Sequence, residues 1–432
     1  MKRQAGELIS HLEDAHQRTL KLIDGLDSAQ LMGPRLATVN PLRWEVAHAA
    51  YFYEYWVLRQ HFCEAPVRTD VDRLYDSINI AHDDRWDLPL PSMQETLDYM
   101  SAVLSRVRAH LIQGQDDEAR DYLVQYAIFH QDMHTEAYTY TRQTLGYPAP
   151  DIAGELAAGT PAGELLGDTK IPGGIFQLGS SENDGFIFDN EKWAHPQTVA
   201  PFSIARSATS NGQYLEFVED GGYRRREFWD AAGWQWRKQT GLEQPVYWQQ
   251  TADGWQLRCF DRWRRLVPDA AVIHISWYEA QAYCRWAGRR LPSELEWEVA
   301  AAAEPDATGM TLSDRKRPYP WGDASPTPNL ANLDGIALGT ISVKALPEGD
   351  SAFGCRQMIG NAWEWTDTLF EPYPGFTPDM YQDYSQPLFG NTRVLRGGAW
   401  ATRGRMIRNN YRNYYGPERN DVFAGFRTCA LT

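Results

Sequence analysis

The sequence predicts a two-domain α+β protein, with a four-helix bundle in front and an α+β domain with much irregular structure behind. Three observations carry that prediction. Apolar residues recur at helical spacing through residues 1–145. A stretch rich in Gly, Ala and Pro follows at 146–170. From Ile171 onward the texture changes to short apolar runs broken by turns, with no periodic repeat. The boundaries drawn from these signals are 1–147 for the bundle, 148–170 for a linker and 171–432 for the second domain.

The first helix rests on Leu8, Ile9, Leu12, Ala15, Leu20 and Ile23, and stops at Gly25. The second opens at Asn40-Pro41, read as Asn at the cap and Pro in the first turn, and runs to about Phe62. A long connection containing WDLPLPS (Trp86–Ser92) leads to a third helix over about Met93–Ile112. The fourth covers about Asp117–Leu145, ended by Gly146 and Pro148. Four such helices with one long crossover make a four-helix bundle. In the second domain only Trp277–Ala287 reads as a strong helix.

Composition narrows the function. Aromatics reach 13%, with 34 Gly and 25 Pro, which suits a loop-rich fold held together by large rings. The formal charge of −15 argues against nucleic-acid binding through a general phosphate field. Cys63, Cys259, Cys284, Cys355 and Cys429 are scattered without a CxxC pair, so a reducing cytoplasm is the simplest home. The first residues lack the apolar core of a signal peptide, and no apolar run approaches the roughly 20 residues that span a bilayer. No membrane partner is expected.

His130 and His134, in FHQDMHTEAY, stand four residues apart. On a helix that offset is about 40° around the axis and roughly 6 Å along it, so both imidazoles can face one ion. His48 is the candidate third ligand, mid-helix in LRWEVAHAAYFYEYW, where an imidazole without a partner is costly. Neutral imidazole suits Fe, Zn, Cu or Ni. Asp132 and Glu136 lie two residues from a His, roughly 200° around the helix, and do not share the ion; Glu136 is a candidate for orienting a neighbour. The plain alternative is three satisfied core or surface histidines. Histidines 11, 16, 61, 82, 110, 195 and 274 show no pairing and read mostly as surface or loop residues, with His82 a candidate to line a pocket.

The second domain carries a string of motifs: IPGGIFQLGS (Ile171–Ser180), SWYEAQAYCRWAGRRLPSELEWEVAA (Ser276–Ala301), YPWGD (Tyr319–Asp323), GNAWEWT (Gly360–Thr366), RVLRGGAW (Arg393–Trp400) and FAGFR (Phe423–Arg427). Trp and Gly in alternation suit tight turns against stacked rings, and Arg396 and Arg427 are placed to tie loops to carboxylates. Most of these residues read as structural.

In this order the motifs resemble the formylglycine-generating-enzyme (C-type-lectin-like) fold. The copper-binding cysteine pair of those enzymes is missing, since Cys429 has no partner in RNNYRNYYGPERN. The front domain resembles DinB-like metal-binding bundles, and the combination resembles the sulfoxide synthases of ergothioneine and ovothiol biosynthesis. That resemblance implies a non-haem Fe(II) site on His48, His130 and His134, with Glu136 as the motif acid. It implies O2 as oxidant and hercynine as acceptor, in a pocket between the domains. YPGFTPDMYQDYSQPLFG resembles the stretch carrying the catalytic tyrosine, here Tyr381, with Tyr384 beside it. RNYYGPERNDVFAGFR resembles the substrate loop, with Asn413 and Arg419 at contact positions, and Arg85 matches a basic residue that holds the donor.

Two departures bear on the donor. Enzymes of the family that use γ-glutamyl-cysteine tend to carry Asp where Tyr415 stands, and Gln where Met133 stands. A site lined by Tyr411, Tyr414 and Tyr415 suits a sugar better than a zwitterion, which leans toward the selenoneine synthase branch, with a selenosugar donor and a C–Se bond at imidazole C2. The alternatives are an ergothioneine-type sulfoxide synthase using γ-glutamyl-cysteine or cysteine, a zinc-binding DinB-type bundle for thiol transfer or hydrolysis, and a non-catalytic binding module.

Overall fold

The computed structural model describes residues 5–113, 116–154, 165 and 167–431. The chain divides into two compact units, Met1–Ile152 and Ala153–Thr432. The expected linker falls in part on residues outside those described, and its last residues, from Asp168, already belong to a strand. No helix among the described residues is long and apolar enough to cross a membrane.

The first unit is the predicted bundle. Helices α1 (Ala5–Ile23), α3 (Leu42–Tyr53), α5 (Met93–Gln113) and α6 (Glu118–Leu145) pack in a ring, α1 and α3 each touching both α5 and α6. Short helices α2 (Ser28–Met32) and α4 (Val71–Tyr75) occupy the connections. Asp117 caps α6 by accepting from the Arg120 amide at 2.9 Å, and Gly146 ends it in the left-handed conformation, as the turn chemistry predicts.

The start of α3 differs from expectation. Pro41, with φ −59°, holds the cap position without a side-chain cap, and the Asn40 side chain instead accepts a hydrogen bond from Arg85 at 2.6 Å. From Leu42 to Tyr53 every residue except Arg43 is buried, which explains a sequence that is apolar on all faces. The helix continues as a π-helical segment, Glu54–His61.

The second unit is α+β, as expected, with more helix than the sequence suggested. Its early elements are β1 (Asp168–Ile171), β2 (Gly174–Leu178), β3 (His195–Val199), β4 (Phe202–Ala205), α7 (Asn211–Glu219), α8 (Ala231–Thr240), β5 (Trp248–Thr251), β6 (Gly254–Cys259) and β7 (Arg262–Arg265). Then come α9 (Trp277–Trp286), β8 (Arg289–Arg290), α10 (Glu294–Ala302), β9 (Ala303–Pro305), β10 (Leu312–Lys316), β11 (Trp363–Leu369), β12 (Arg393–Arg396), β13 (Asn413–Tyr415), β14 (Ala424–Gly425) and β15 (Cys429–Ala430). Helices α7, α8 and α10 went unpredicted; α7 and α10 begin with capping boxes, Ser210 with Gln213 and Ser293 with Glu296.

Two sheets matter for the site. One has the order β1-β4-β15-β8, and Cys429 lies within it as a buried free thiol. The other has the order β13-β12-β11-β14, which sets the Asn413–Tyr415 segment at an edge beside RVLR. The Trp motifs form the core: Trp297, Trp363, Trp365 and Trp400 are buried. Charged residues are buried with them. Arg396 pairs with Glu294 at 2.8 Å and with Glu298, Arg412 pairs with Glu294 at 2.7 Å, and Arg427 grips Glu364 through two bonds at 2.6 and 2.7 Å. The expectation that Arg396 and Arg427 tie loops to carboxylates holds.

FAGFR needs its glycine for space. Gly425 pairs with Glu364 across the β11–β14 contact, and an added Cβ would run into the Val272 carbonyl oxygen. Gly425→Ala is expected to destabilise the protein by about 1–3 kcal/mol, the usual cost of overpacking, read as a lowered urea midpoint at unchanged slope.

Candidate metal centre

The three predicted histidines come together inside the bundle. His48 extends from α3, and His130 and His134 stand one turn apart on α6. One nitrogen from each lies within 4.8 Å of the others, and the Nε2 atoms of His130 and His134 are 3.3 Å apart. Ring centroids are 5.1 and 5.2 Å from His48 to His134 and His130, and 4.5 Å between the last two. Asp132 and Glu136 are buried on α6 but do not belong to this group.

Hydrogen bonds orient the rings. His48 Nδ1 lies 2.8 Å from the Tyr75 carbonyl, which only accepts, so Nδ1 carries the hydrogen and Nε2 keeps its lone pair. His134 Nδ1 lies 2.7 Å from Glu45 Oε1, which aims its Nε2 at the cluster in the same way. Stacking holds the planes: Trp44 lies on His48 at 4.8 Å with 8° between planes, and Phe52 on His130 at 3.9 Å with 15°.

Burial keeps His48 and His130 neutral. Desolvation, then the neighbouring His134, pushes His48 down to about 3, with Arg85 adding to the fall and the Tyr75 bond opposing it. His130 is held well below the ordinary histidine range, by burial first and then by His134 and His48. Neutral imidazoles whose lone pairs converge are the form that binds a transition metal. Glu45 Oε2 adds a second indication: it is buried with no hydrogen-bond partner among the described residues, a carboxylate oxygen that a cation nearby would compensate. The donor set fits a divalent ion of the Fe(II) type.

Glu45 was not singled out in the sequence. Its only signal there is the Glu45-x-x-His48 spacing, and its partner lies 89 positions away. Arg85 stands with its guanidinium carbon 4.0 Å over Trp44, the same ring that stacks on His48. His82 bonds the Val39 carbonyl at 2.8 Å and stays partly exposed. His274 departs from the surface reading. It is buried beside Tyr247 and Phe423, and burial drives it down to about 3.

The other predicted substrate residues lie in the second unit. Asn413 and Tyr415 fall on one face of β13, with Tyr414 on the other, by strand alternation. The Tyr414 ring stacks on Phe370 at 4.1 Å, its hydroxyl donates to the Tyr384 carbonyl, and burial raises it well above the ordinary tyrosine range. Tyr414 is therefore held by packing. Asn413 Oδ1 accepts from the Tyr414 amide at 2.8 Å. Arg419 lies 5.1 Å over the Tyr415 ring and chelates Asp421 at 2.6 and 2.7 Å. Tyr384 stacks on Phe188 at 4.8 Å, with its hydroxyl 3.4 Å from that of Tyr411. Tyr381 is half-buried, one residue before the short turn Gln382–Tyr384.

Comparisons with known proteins agree with this architecture. Residues 11–137 match the DinB superfamily, and residues 156–431 match the sulfatase-modifying factor enzyme 1-like domain. The hercynine oxygenase of Mycolicibacterium thermoresistibile is 39% identical, covering 98% of this chain and 94% of that protein. Those of Mycobacterium tuberculosis and Mycolicibacterium smegmatis are 37% and 36% identical, covering 98% of both chains and 97% of both chains respectively. With both domains matched and these relatives aligned over nearly their full length, the chain belongs to the hercynine oxygenase family of ergothioneine-type sulfoxide synthases.

Proposed function

We propose that this protein is an Fe(II)-dependent, O2-using enzyme that forms a C–Se bond at the imidazole C2 of hercynine, taking selenium from a selenosugar. The observation that carries the iron chemistry is the convergence of three imidazoles with hydrogen-bonded Nδ1 atoms on His48 and His134. The relatives named hercynine oxygenase support the acceptor and the oxidant.

His48, His130 and His134 would hold the iron. Iron with three protein ligands supplies open positions, one-electron chemistry toward O2 and a lowered pKa for a bound thiol or selenol. Hercynine carries a quaternary ammonium that cannot donate a hydrogen bond, so aromatic faces suit it. The Asn413 side-chain amide nitrogen is assigned to its carboxylate, leaving Oδ1 on the Tyr414 amide. Arg85 is assigned to the donor, and Arg419, Tyr384 and Tyr414 support the acceptor side by holding the loop. The Tyr381 hydroxyl is assigned the proton that the oxygen step requires.

The selenium assignment is supported at Tyr415. A carboxylate there would pair with the ammonium of an amino-acid thiol; a tyrosine offers a ring and a hydroxyl, and the neighbouring Asp421 is already chelated by Arg419. Anaerobic incubation with Fe(II) and hercynine, then oxygen with a selenosugar, γ-glutamyl-cysteine or cysteine, tests it by mass spectrometry. Selenium incorporation is the expected product. Turnover of thiols alone would make the enzyme an ergothioneine-type sulfoxide synthase, and stoichiometric zinc with full activity would remove the oxidative reading.

A further inference from the structure

The three imidazoles are not equivalent, and Glu45 makes the difference. It precedes His48 by one helical turn on α3, yet its carboxylate reaches the other ligand-bearing helix, at His134. His48 Nδ1 faces a neutral peptide carbonyl, whereas His134 Nδ1 faces an acid that is 2% exposed. Oε1 of that acid takes the imidazole, and Oε2 is buried without a hydrogen-bond partner among the described residues. Tyr138 bonds the Glu45 backbone carbonyl at 3.3 Å and leaves the carboxylate alone. A carboxylate so enclosed is costly unless positive charge stands close by.

We propose that Glu45 is a positioning residue of the metal centre. It holds His134 with the hydrogen on Nδ1, raises the electron density on Nε2 through a charge-assisted bond, and brings one negative charge to a site whose three ligands are imidazoles. The proposal rests on the iron reading above. A Glu45 that served only to fill a hydrogen-bonding need in the core would have both oxygens engaged.

Glu45→Gln separates charge from orientation, because the amide oxygen can still accept from His134 Nδ1. Wild type, Glu45→Gln and Glu45→Asp would be purified anaerobically and titrated with Fe(II) against a chromophoric chelator. Co(II) would be substituted in parallel to read the visible bands of the bound ion. Glu45→Gln is expected to weaken Fe(II) binding by roughly 10- to 100-fold and to shift the Co(II) bands, with unchanged circular dichroism. Glu45→Asp keeps the charge one methylene further away and should fall between; it carries the test if the Gln variant does not fold. Affinity and spectrum equal to wild type in the folded variants would overturn the proposal while leaving the iron reading intact. A wild type that binds no Fe(II) would overturn both.

Discussion

His130→Ala is expected to lower Fe(II) affinity by more than about a hundredfold, the upper end of what loss of a supporting residue alone costs, and to abolish oxygen-dependent turnover of hercynine. The ring is buried, stacked on Phe52, and its Nε2 lies 3.3 Å from that of His134. Two imidazoles would be left to face the ion. The loss should be separable from misfolding, because truncating a buried ring that burial keeps neutral leaves a cavity but no stranded charge. Circular dichroism should therefore match wild type while iron analysis returns substoichiometric metal. A variant that retains stoichiometric iron and full turnover would move the metal site elsewhere.

Arg427→Met is expected to destabilise the second unit by about 3–5 kcal/mol, the cost of leaving one member of a buried pair uncompensated. Arg427 is fully buried and holds Glu364 through Nε and Nη2, while Trp297 donates to the same carboxylate at 2.7 Å. It also donates to the carbonyls of Ala205 and Arg356 at 3.2 and 3.0 Å, so one side chain joins FAGFR to three other segments. Urea unfolding followed by tryptophan fluorescence checks it. A change below about 1 kcal/mol would show that the pair is dispensable, as some buried pairs are when well repacked.

What could be read from the sequence follows the range of the interactions involved. Gly146 ends α6 through contacts within four residues, so cap chemistry found that end, while Asp117, read as the first helical residue, is the cap before it. His130 and His134 needed only helical spacing to be paired. The cap at α3 was misplaced by one residue because Asn40 takes a tertiary partner, Arg85, over its local one. Helices α7, α8 and α10 escaped although α9, of similar length, was read, and the capping boxes that open α7 and α10 were local signals for two of them. The partners that orient the ligands escaped altogether. Tyr75 offers a backbone carbonyl, which has no sequence signature, and Glu45 meets His134 only when two helices pack.

Enclosure of α3 on nearly every side has a consequence for how this enzyme can diversify. A cylinder gripped all round can neither roll nor slide without displacing its neighbours, and almost any exchange along it opens a void or forces a clash. Drift in that segment should therefore be slow, and it acts as a fixed anvil. Novelty has to arise at positions that are less enclosed.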